Sequence, residues 1–206
     1  MSVSFNIQSS IKSYKVDIRE GLLTKPLFET SNNLIIIDKH VLDLYPLLQA
    51  KNLIAIPALE SSKTLETASY VIEQLRLKGV HRESHLIAIG GGIIQDVATL
   101  TASLYMRGIK WQYAPTTLLA MADSCIGGKS SINVASVKNL IGNIYPPGQI
   151  FIDTEFLTTL PPEDIAGGLA EAAKIAFCKG TEDFQAFMDF TLGDFPSSVD
   201  AMLTFI

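Results

Sequence analysis

Residues 85–96 read His85-Leu-Ile-Ala-Ile-Gly-Gly-Gly-Ile-Ile-Gln-Asp96, and this stretch decides the fold class. A short, continuous apolar run such as 86–89 is typical of a strand buried on both faces. Three glycines follow it directly, and a helical pattern then covers residues 93–106. Glycines between a strand and a helix N-terminus let a pyrophosphate approach the backbone. A tight turn with a purely structural role is the alternative interpretation.

The buried-strand pattern recurs along the chain, with helical patterns in between. Similar apolar runs lie at residues 33–38, 52–57 and 149–153, and the helical patterns lie at 41–50 and 63–78. This alternation predicts an α/β fold, a Rossmann-like, doubly wound, mostly parallel sheet with ligands at the carboxyl ends of its strands. Polar and apolar residues alternate over 4–8 and 13–18, which predicts an antiparallel hairpin at the sheet edge.

The pattern changes at Pro161. Prolines and acidic residues at 161–164 favour the first turn of a helix, residues 163–178 and 181–206 then read as helix, and no strand signal follows Asp153. We therefore predict an α/β domain over residues 1–160. Residues 161–206 are predicted to be the first helices of an incomplete all-helical domain, since the apolar pattern ends at Ile206 without a helix cap.

Composition excludes several classes of protein. The chain has 206 residues, 48% of them hydrophobic, and a net charge of −5, which argues against a nucleic-acid-binding surface. It carries neither a signal-peptide pattern nor an apolar run long enough to span a bilayer. Cys125 and Cys178 lack metal-site spacing, so they are predicted to be free, buried thiols. We expect a cytoplasmic protein without membrane partners.

Residues 123–142 carry the strongest chemical signal. Lys129 follows a glycine pair and Lys138 precedes Asn139, and two ammonium groups with an amide suit a phosphate or carboxylate. Asp123 is placed to orient substrate hydroxyls or to transfer a proton. The segment predicts a site for a phosphorylated, hydroxyl-rich small molecule.

Other polar residues have two interpretations each. Asp38 ends a strand and suits either a ribose hydroxyl or a helix N-cap. Thr116 and Thr117 suit either helix capping or ligand contact. Arg107 suits either ligand binding or the role of a cation at the C-terminus of a helix.

Glu171 and Lys174 share one face of a predicted helix rich in small residues. A carboxylate there needs a partner, either a metal ion or Lys174 itself. All three histidines lie upstream, at positions 40, 81 and 85, and they are predicted to be surface or loop residues.

In this order the segments resemble the 3-dehydroquinate synthase family of sugar-phosphate cyclases. The resemblance extends from about Asp38 to Lys174 and rests on seven matching segments: 90–96, 105–108, 115–120, 123–129, 138–142, 152–154 and 168–171. It implies that NAD⁺ oxidises a ring hydroxyl of 3-deoxy-D-arabino-heptulosonate 7-phosphate, that phosphate is eliminated, and that the ketone is reduced again before an aldol closure. It also implies a zinc or cobalt ion, and a homodimer.

The resemblance assigns roles by matched position. The implied NAD-binding residues are Asp38, Glu60, Lys63, Gly91, Gly92, Asp96, Thr116, Thr117 and Thr159, together with Lys129 and Lys138. The implied substrate and catalytic residues are Asp123, Lys129, Lys138, Asn139 and Lys174, with Arg107 reaching the substrate phosphate across a dimer interface. Glu171 is the implied first metal ligand.

The chain also departs from the family pattern. Family members take two further metal ligands from histidines, and no histidine follows His85 here, so this chain alone is expected to lack catalytic zinc and turnover. Three alternatives remain: a sibling cyclase acting on sedoheptulose 7-phosphate, a polyol dehydrogenase of the glycerol dehydrogenase type, and a nucleotide-binding module without activity.

Overall fold

The computed structural model describes residues 2–21, 33–194 and 203. The strands are β1 (Ser2–Ile7), β2 (Tyr14–Arg19), β3 (Asn33–Asp38), β4 (Leu53–Ile56), β5 (His85–Gly90), β6 (Lys110–Pro115), β7 (Ile132–Val134), β8 (Val137–Ile141) and β9 (Gln149–Ile152). The α-helices are α1 (Lys39–Leu44), α2 (Leu65–Leu77), α3 (Gly92–Leu104), α4 (Pro162–Lys179) and α5 (Thr181–Asp194).

The described strands form a seven-stranded sheet in the order β1-β2-β9-β6-β5-β3-β4 and a separate hairpin of β7 and β8. Every pair in the large sheet is parallel except β1 with β2. Strand β5 lies inside the sheet, and its residues 86–89 are fully buried. The predicted α/β, Rossmann-like fold and its N-terminal hairpin are confirmed.

The chain reverses direction across the sheet between β3 and β5. From β3 it passes through α1 to β4 on one side, and from β5 it passes through α3 to β6 on the other. At such a switch point the two connections separate and leave a crevice at the carboxyl ends of the strands. Asp38 and Gly90 end these two strands, so they mark the position of the crevice.

Three predicted helices are shorter in the structure. The helix predicted over 41–50 is α1 followed by a 3₁₀ turn, Pro46–Leu48, because proline disfavours helical backbone at Tyr45. The helix predicted over 93–106 ends at Leu104, and Met106 then takes a left-handed conformation with φ 50°. The helix predicted over 63–78 begins two residues later, at Leu65, behind the N-cap Thr64.

The hairpin of β7 and β8 and the strand β6 were not among the predicted strands. Strand β8 is exposed along almost its whole length, so its apolar residues do not alternate with polar ones in the way a half-buried strand requires. Residues 132–141, which include Lys138 and Asn139, form a small two-stranded sheet. A bridge between Asn133 and Thr64 joins this sheet to the rest of the domain.

Helix α4 extends one residue beyond the predicted segment 163–178 at each end, and α5 lies within the predicted segment 181–206. No described residue after Ile152 belongs to a strand. A Cβ built on Gly168 would lie 2.6 Å from Cβ of Leu118, so the backbone of α4 comes very close to the turn after β6. The domain boundary near residue 160 stays a prediction. Residues 195–202 and 204–206 of the predicted last helix lie outside the described residues.

The two cysteines differ in exposure. Cys125 is buried, and burial raises the pKa of its thiol to about 12. Cys178 is exposed on α4, so its predicted burial was wrong: the apolar face around it is left open by the described residues. Among the described helices, none has the length and apolar character needed to cross a membrane.

Candidate active site

A cleft of ≈ 530 Å³ opens at the switch point of the sheet. Its walls come from the carboxyl ends of β3, β5 and β6, from the 3₁₀ turn Thr154–Thr159, and from the start of α4. Eight of the predicted cofactor residues line it: Asp38, Lys63, Gly91, Gly92, Asp96, Thr116, Thr117 and Thr159. The structure thus gathers in one cavity residues that are up to 121 positions apart (159 − 38).

The glycine turn brings the N-terminus of α3 to the cleft. Gly91 is the N-cap of this helix, and a Cβ at Gly91 would lie 3.1 Å from Cγ2 of Thr117. A side chain at this position would therefore crowd the neighbouring loop. The free N–H groups of the first helical turn favour a bound anion.

Both interpretations of Asp38 are compatible with its position. Its Oδ1 accepts a hydrogen bond from the His40 N–H at 3.0 Å, so the N-cap is confirmed, and the residue also lines the cleft. On the same wall the Tyr45 hydroxyl lies 3.0 Å from Oγ1 of Thr159, and the Tyr45 ring meets Phe156 edge to face. Tyr45 was not predicted, because an aromatic residue before a proline gives no signal for a ligand site.

Thr117 also acts as a cap, since its Oγ1 accepts a hydrogen bond from the Ala120 N–H at 3.2 Å. Thr116 is buried at the end of β6, where its N–H donates to the Gly90 carbonyl. The two threonines therefore join the glycine turn to the following segment, and they border the cleft at the same time.

Lys63 is buried, although its sequence neighbourhood alone suggests a solvated face. Its Nζ lies 3.0 Å from Oδ2 of Asp96 and donates to Oδ1 of Asn139 at 2.7 Å. Burial raises the pKa of the Asp96 carboxyl, and the hydrogen bond and charge of Lys63 partly oppose that rise. One ammonium group thus connects α3, which carries the glycine turn, with the hairpin that carries the predicted phosphate receptor.

Asn133 is a second residue that the sequence did not single out. Its side chain accepts a hydrogen bond from the Asn139 N–H at 2.9 Å and donates to Oε1 of Glu60 at 2.8 Å. Glu60 does not line the cleft itself. It lies at the rim, with Nζ of Lys138 at 4.0 Å from its carboxylate.

The glycines next to Lys129 fix the course of its loop. Gly128 has φ 63°, and a Cβ there would lie 2.3 Å from Cα of Pro146, so a larger residue does not fit. The N–H of Gly127 donates to the hydroxyl of the buried Tyr14 at 2.8 Å. Lys129 itself is exposed and outside the cleft lining, as is Lys138.

Asp123 lies in a π-helical turn, Ala120–Ser124, in which the Cys125 N–H donates to the Ala120 carbonyl. Such turns are frequent at functional sites. Gln95 of α3 holds this turn: its Oε1 accepts from the Ser124 hydroxyl at 2.9 Å, and its Nε2 donates to the Ser124 carbonyl. Gln95 is buried and was not predicted, because a lone glutamine in a helix gives no signal for this contact.

Substituting Gln95→Leu is expected to lower the free energy of unfolding by about 1–3 kcal/mol, because it leaves the Ser124 hydroxyl and carbonyl without their partner. Urea denaturation of the chain measures this. Gln185→Leu serves as the control, since Gln185 makes an exposed bond to Asp189 on α5. Equal effects of the two substitutions would contradict the positional role of Gln95.

Glu171 and Lys174 form a close ion pair on α4, as one of the two interpretations predicted, and a metal-binding role of Glu171 stays a prediction. The pair raises the pKa of the Lys174 ammonium, first through its hydrogen bond and then through charge, and the Asp123 carboxylate adds to the effect. Asp123 therefore lies near the exposed face of α4. The described residues contain no cluster of three or more side chains suited to a metal ion.

Arg107 lies apart from the cleft. It is exposed and has φ 67°, and its neighbour Met106 has φ 50°, so two consecutive residues other than glycine are left-handed. Such a backbone costs free energy and is common at functional positions. Its role toward a substrate phosphate across a dimer interface stays a prediction.

Comparison with known proteins places this geometry in a family. A family model described as 3-dehydroquinate synthase N-terminal matches residues 53–167, which is more than half of the chain. The 3-dehydroquinate synthase of Campylobacter concisus (strain 13826) is 37% identical over 198 residues, which cover 94% of this chain. The chain spans 57% of the length of that relative.

Two solved structures have the same fold. One is 2-deoxy-scyllo-inosose synthase, with a TM-score of 0.82 and 27% identity over 98% of this chain and 61% of its own. The other is ValA, the 2-epi-5-epi-valiolone synthase of Streptomyces hygroscopicus subsp. jinggangensis 5008, with NAD⁺ and Zn²⁺ bound. ValA has a TM-score of 0.81 and 33% identity over 97% of this chain and 60% of its own.

Proposed function

The chain belongs to the 3-dehydroquinate synthase family, and from that premise we propose that the whole protein converts 3-deoxy-D-arabino-heptulosonate 7-phosphate into 3-dehydroquinate and phosphate. The observation that carries the proposal is the bridge made by Lys63, whose Nζ contacts both Asp96 and Asn139. A glycine turn suited to a nucleotide and a lysine-bearing hairpin suited to a phosphate ester thereby share one site. A carbon–oxygen lyase with a built-in redox cofactor requires both.

The residues of the cleft fit NAD⁺. The helix N-terminus at Gly91 and Gly92 suits a pyrophosphate, and Asp38 at the end of β3 suits a ribose hydroxyl. The dinucleotide held by ValA supports this assignment. When bound there, NAD⁺ would supply reversible hydride transfer at the carbon that carries a substrate hydroxyl, so the overall reaction would have no net redox change.

The remaining predicted residues have roles toward the substrate. Lys129, Lys138 and Asn139 bind the phosphate and the carboxylate of the sugar acid, and the charges of the two lysines lower the cost of expelling phosphate. Asp123 orients the ring hydroxyls or takes up a proton, and the Lys174 ammonium lies near enough for their charges to interact.

The described residues do not by themselves fit a catalytic metal. Glu171 would supply one oxygen ligand, and it is paired with Lys174 in this structure. The proposal has three further parts. The whole protein adds further metal ligands to Glu171, forms a homodimer in which Arg107 reaches the partner's site, and resides in the cytoplasm.

Titration of NAD⁺ into this chain by calorimetry tests the cofactor site. Saturable binding is expected, and Gly91→Val should weaken it at least tenfold, because a side chain there meets Thr117 and blocks the approach to the helix N-terminus. Gly148→Ala is the control, since Gly148 does not line the cleft and its added Cβ would make only an ordinary contact, 3.6 Å from the Trp111 carbonyl oxygen. Full affinity in Gly91→Val would contradict the proposed role of the turn.

A sibling cyclase is the second candidate, because the two solved structures described above carry the names of such enzymes. Assays of the whole protein with 3-deoxy-D-arabino-heptulosonate 7-phosphate and with sedoheptulose 7-phosphate separate the two. Turnover of the second sugar alone would replace the proposed activity by that of the sibling.

A further inference from the structure

Asn133 connects two segments that are far apart in sequence. Its backbone N–H donates to the Lys63 carbonyl at 2.8 Å, and it forms a parallel bridge with Thr64. Strand β7, which contains Asn133, is thereby fixed against the turn that carries Glu60 and Lys63. The side-chain amide of Asn133 then forms hydrogen bonds with groups on either side of it.

The carbonyl end of this amide holds Asn139. Asn139 has φ 56°, a conformation that costs a residue other than glycine about 1 kcal/mol and that asparagine tolerates better than most. Its N–H donates to Oδ1 of Asn133 at 2.9 Å. In this conformation Oδ1 of Asn139 reaches Nζ of Lys63 at 2.7 Å, so the acceptor on Asn133 sets the position of an amide in the predicted phosphate receptor.

The amino end of the same amide holds Glu60. Nδ2 of Asn133 donates to Oε1 of Glu60 at 2.8 Å and to its carbonyl at 3.3 Å. This bond is the largest cause of the lowered pKa of the Glu60 carboxyl, and the charges of Lys63 and Lys138 act in the same direction. The donor on Asn133 therefore sets the position of a predicted cofactor contact and favours its carboxylate form.

We infer that Asn133 is a positioning residue whose amide serves both sides of the site, its oxygen fixing Asn139 on the substrate side and its NH₂ group fixing Glu60 on the cofactor side. The assignment of the two sides rests on the proposed function. The double contact itself does not, because it is a property of the hydrogen bonds between these residues.

Two substitutions distinguish the contribution of the amide oxygen from that of the NH₂ group. Asn133→Asp keeps an oxygen for the Asn139 N–H and replaces the donor to Glu60 by a like charge. Asn133→Ala removes both groups. Asn6→Asp adds the same charge to the exposed edge strand β1, at the other end of the sheet, and serves as the control.

NMR spectra of the chain give a readout that does not depend on activity. The amide resonance of Asn139 is expected to stay in place in Asn133→Asp and to move in Asn133→Ala. The pKa of Glu60 is expected to rise in both variants, because its hydrogen-bond donor is lost. An unmoved Asn139 amide in Asn133→Ala, or an unchanged Glu60 pKa in both variants, would overturn the inference.

Affinity for NAD⁺ supplies the functional test. Asn133→Asp is expected to weaken NAD⁺ binding about tenfold, the loss typical of one hydrogen bond to a charged group. Adding Glu60→Gln should restore the contact, since a glutamine NH₂ donates to the new aspartate. Asn133→Asp should therefore weaken NAD⁺ binding less in the Glu60→Gln background than in the chain with Glu60. An equal loss of NAD⁺ affinity in the two backgrounds would overturn the inference. Absent NAD⁺ binding by the unaltered chain would instead contradict the proposed function, and the NMR test would still stand.

Discussion

Lys63→Met is expected to lower the free energy of unfolding by about 2–4 kcal/mol and to abolish saturable NAD⁺ binding. Breaking a fully buried ion pair from one side costs about 3–5 kcal/mol, because the remaining charge is left without a partner. The side chains of Lys63 and Asp96 are 10% and 16% exposed, so some of that cost is relieved by water. Urea denaturation and calorimetric titration of the chain measure the two effects.

The loss of stability should depend on pH. Burial already raises the pKa of Asp96, and removing Lys63 removes the hydrogen bond and charge that oppose this rise. A carboxyl whose folded pKa exceeds its unfolded value destabilises the fold progressively as the pH rises from the unfolded to the folded pKa. The deficit of Lys63→Met should therefore be largest near neutral pH and shrink as the pH falls toward the ordinary aspartate value of 3.8.

Two controls isolate the buried pair. Lys63→Met combined with Asp96→Asn removes both charges, so the double variant should be more stable at neutral pH than Lys63→Met alone. Lys39→Met removes an exposed ion pair with Asp43, whose side chains are 63% and 61% exposed, and should cost at most about 0.5 kcal/mol. A deficit in Lys63→Met that is independent of pH would contradict the explanation through Asp96.

Gly168→Ala is expected to destabilise the chain by about 1–3 kcal/mol and to move α4 away from the π-helical turn. The added Cβ would lie 2.6 Å from Leu118 side-chain atoms and 2.8 Å from the Leu119 backbone nitrogen, and overpacking of this kind costs more than the helix propensity gained. Because α4 carries Glu171 and Lys174, the shift should also reduce the turnover of the whole protein. Thermal unfolding and kcat measure the two consequences.

Gly167→Ala provides a matched control one residue away. Its Cβ meets nothing within 4 Å, so replacing a helical glycine should stabilise the chain by about 0.5–1 kcal/mol. Opposite signs for the two neighbouring substitutions are the expected result. Destabilisation by both would show that the glycines serve the flexibility of α4 and not its close approach.

Much of the fold was predictable from local patterns. The apolar run of β5 followed by Gly90, Gly91 and Gly92 predicted a buried strand, a tight turn and a helix, and all three occur. Strand pattern and glycine placement depend on a few consecutive residues, so a single sequence contains them. Strand β8 was missed for the converse reason, because it is exposed and its pairing with β7 leaves no hydrophobic period in the sequence.

The predicted site residues came partly from residue type and spacing and partly from the family resemblance, and eight of them line one cleft. The sequence did not predict what holds them. Gln95 and Ser124 are 29 positions apart, Glu60 and Asn133 are 73 apart, and neither pair has a recognisable motif. Roles of residues such as Glu171 and Arg107 toward ligands stay predictions.

The order of strands and helices, the glycine turn and the residue types of the site thus follow from the sequence itself, because hydrophobic period, backbone freedom and charge are local properties. The burial of Lys63 does not. Its ammonium group meets Asn139, 76 residues further along the chain, only after the sheet has brought α3 and the β7–β8 hairpin together. Whether a lysine is solvated or holds a site together depends on which distant groups the fold places around it, and that is a property of the tertiary structure.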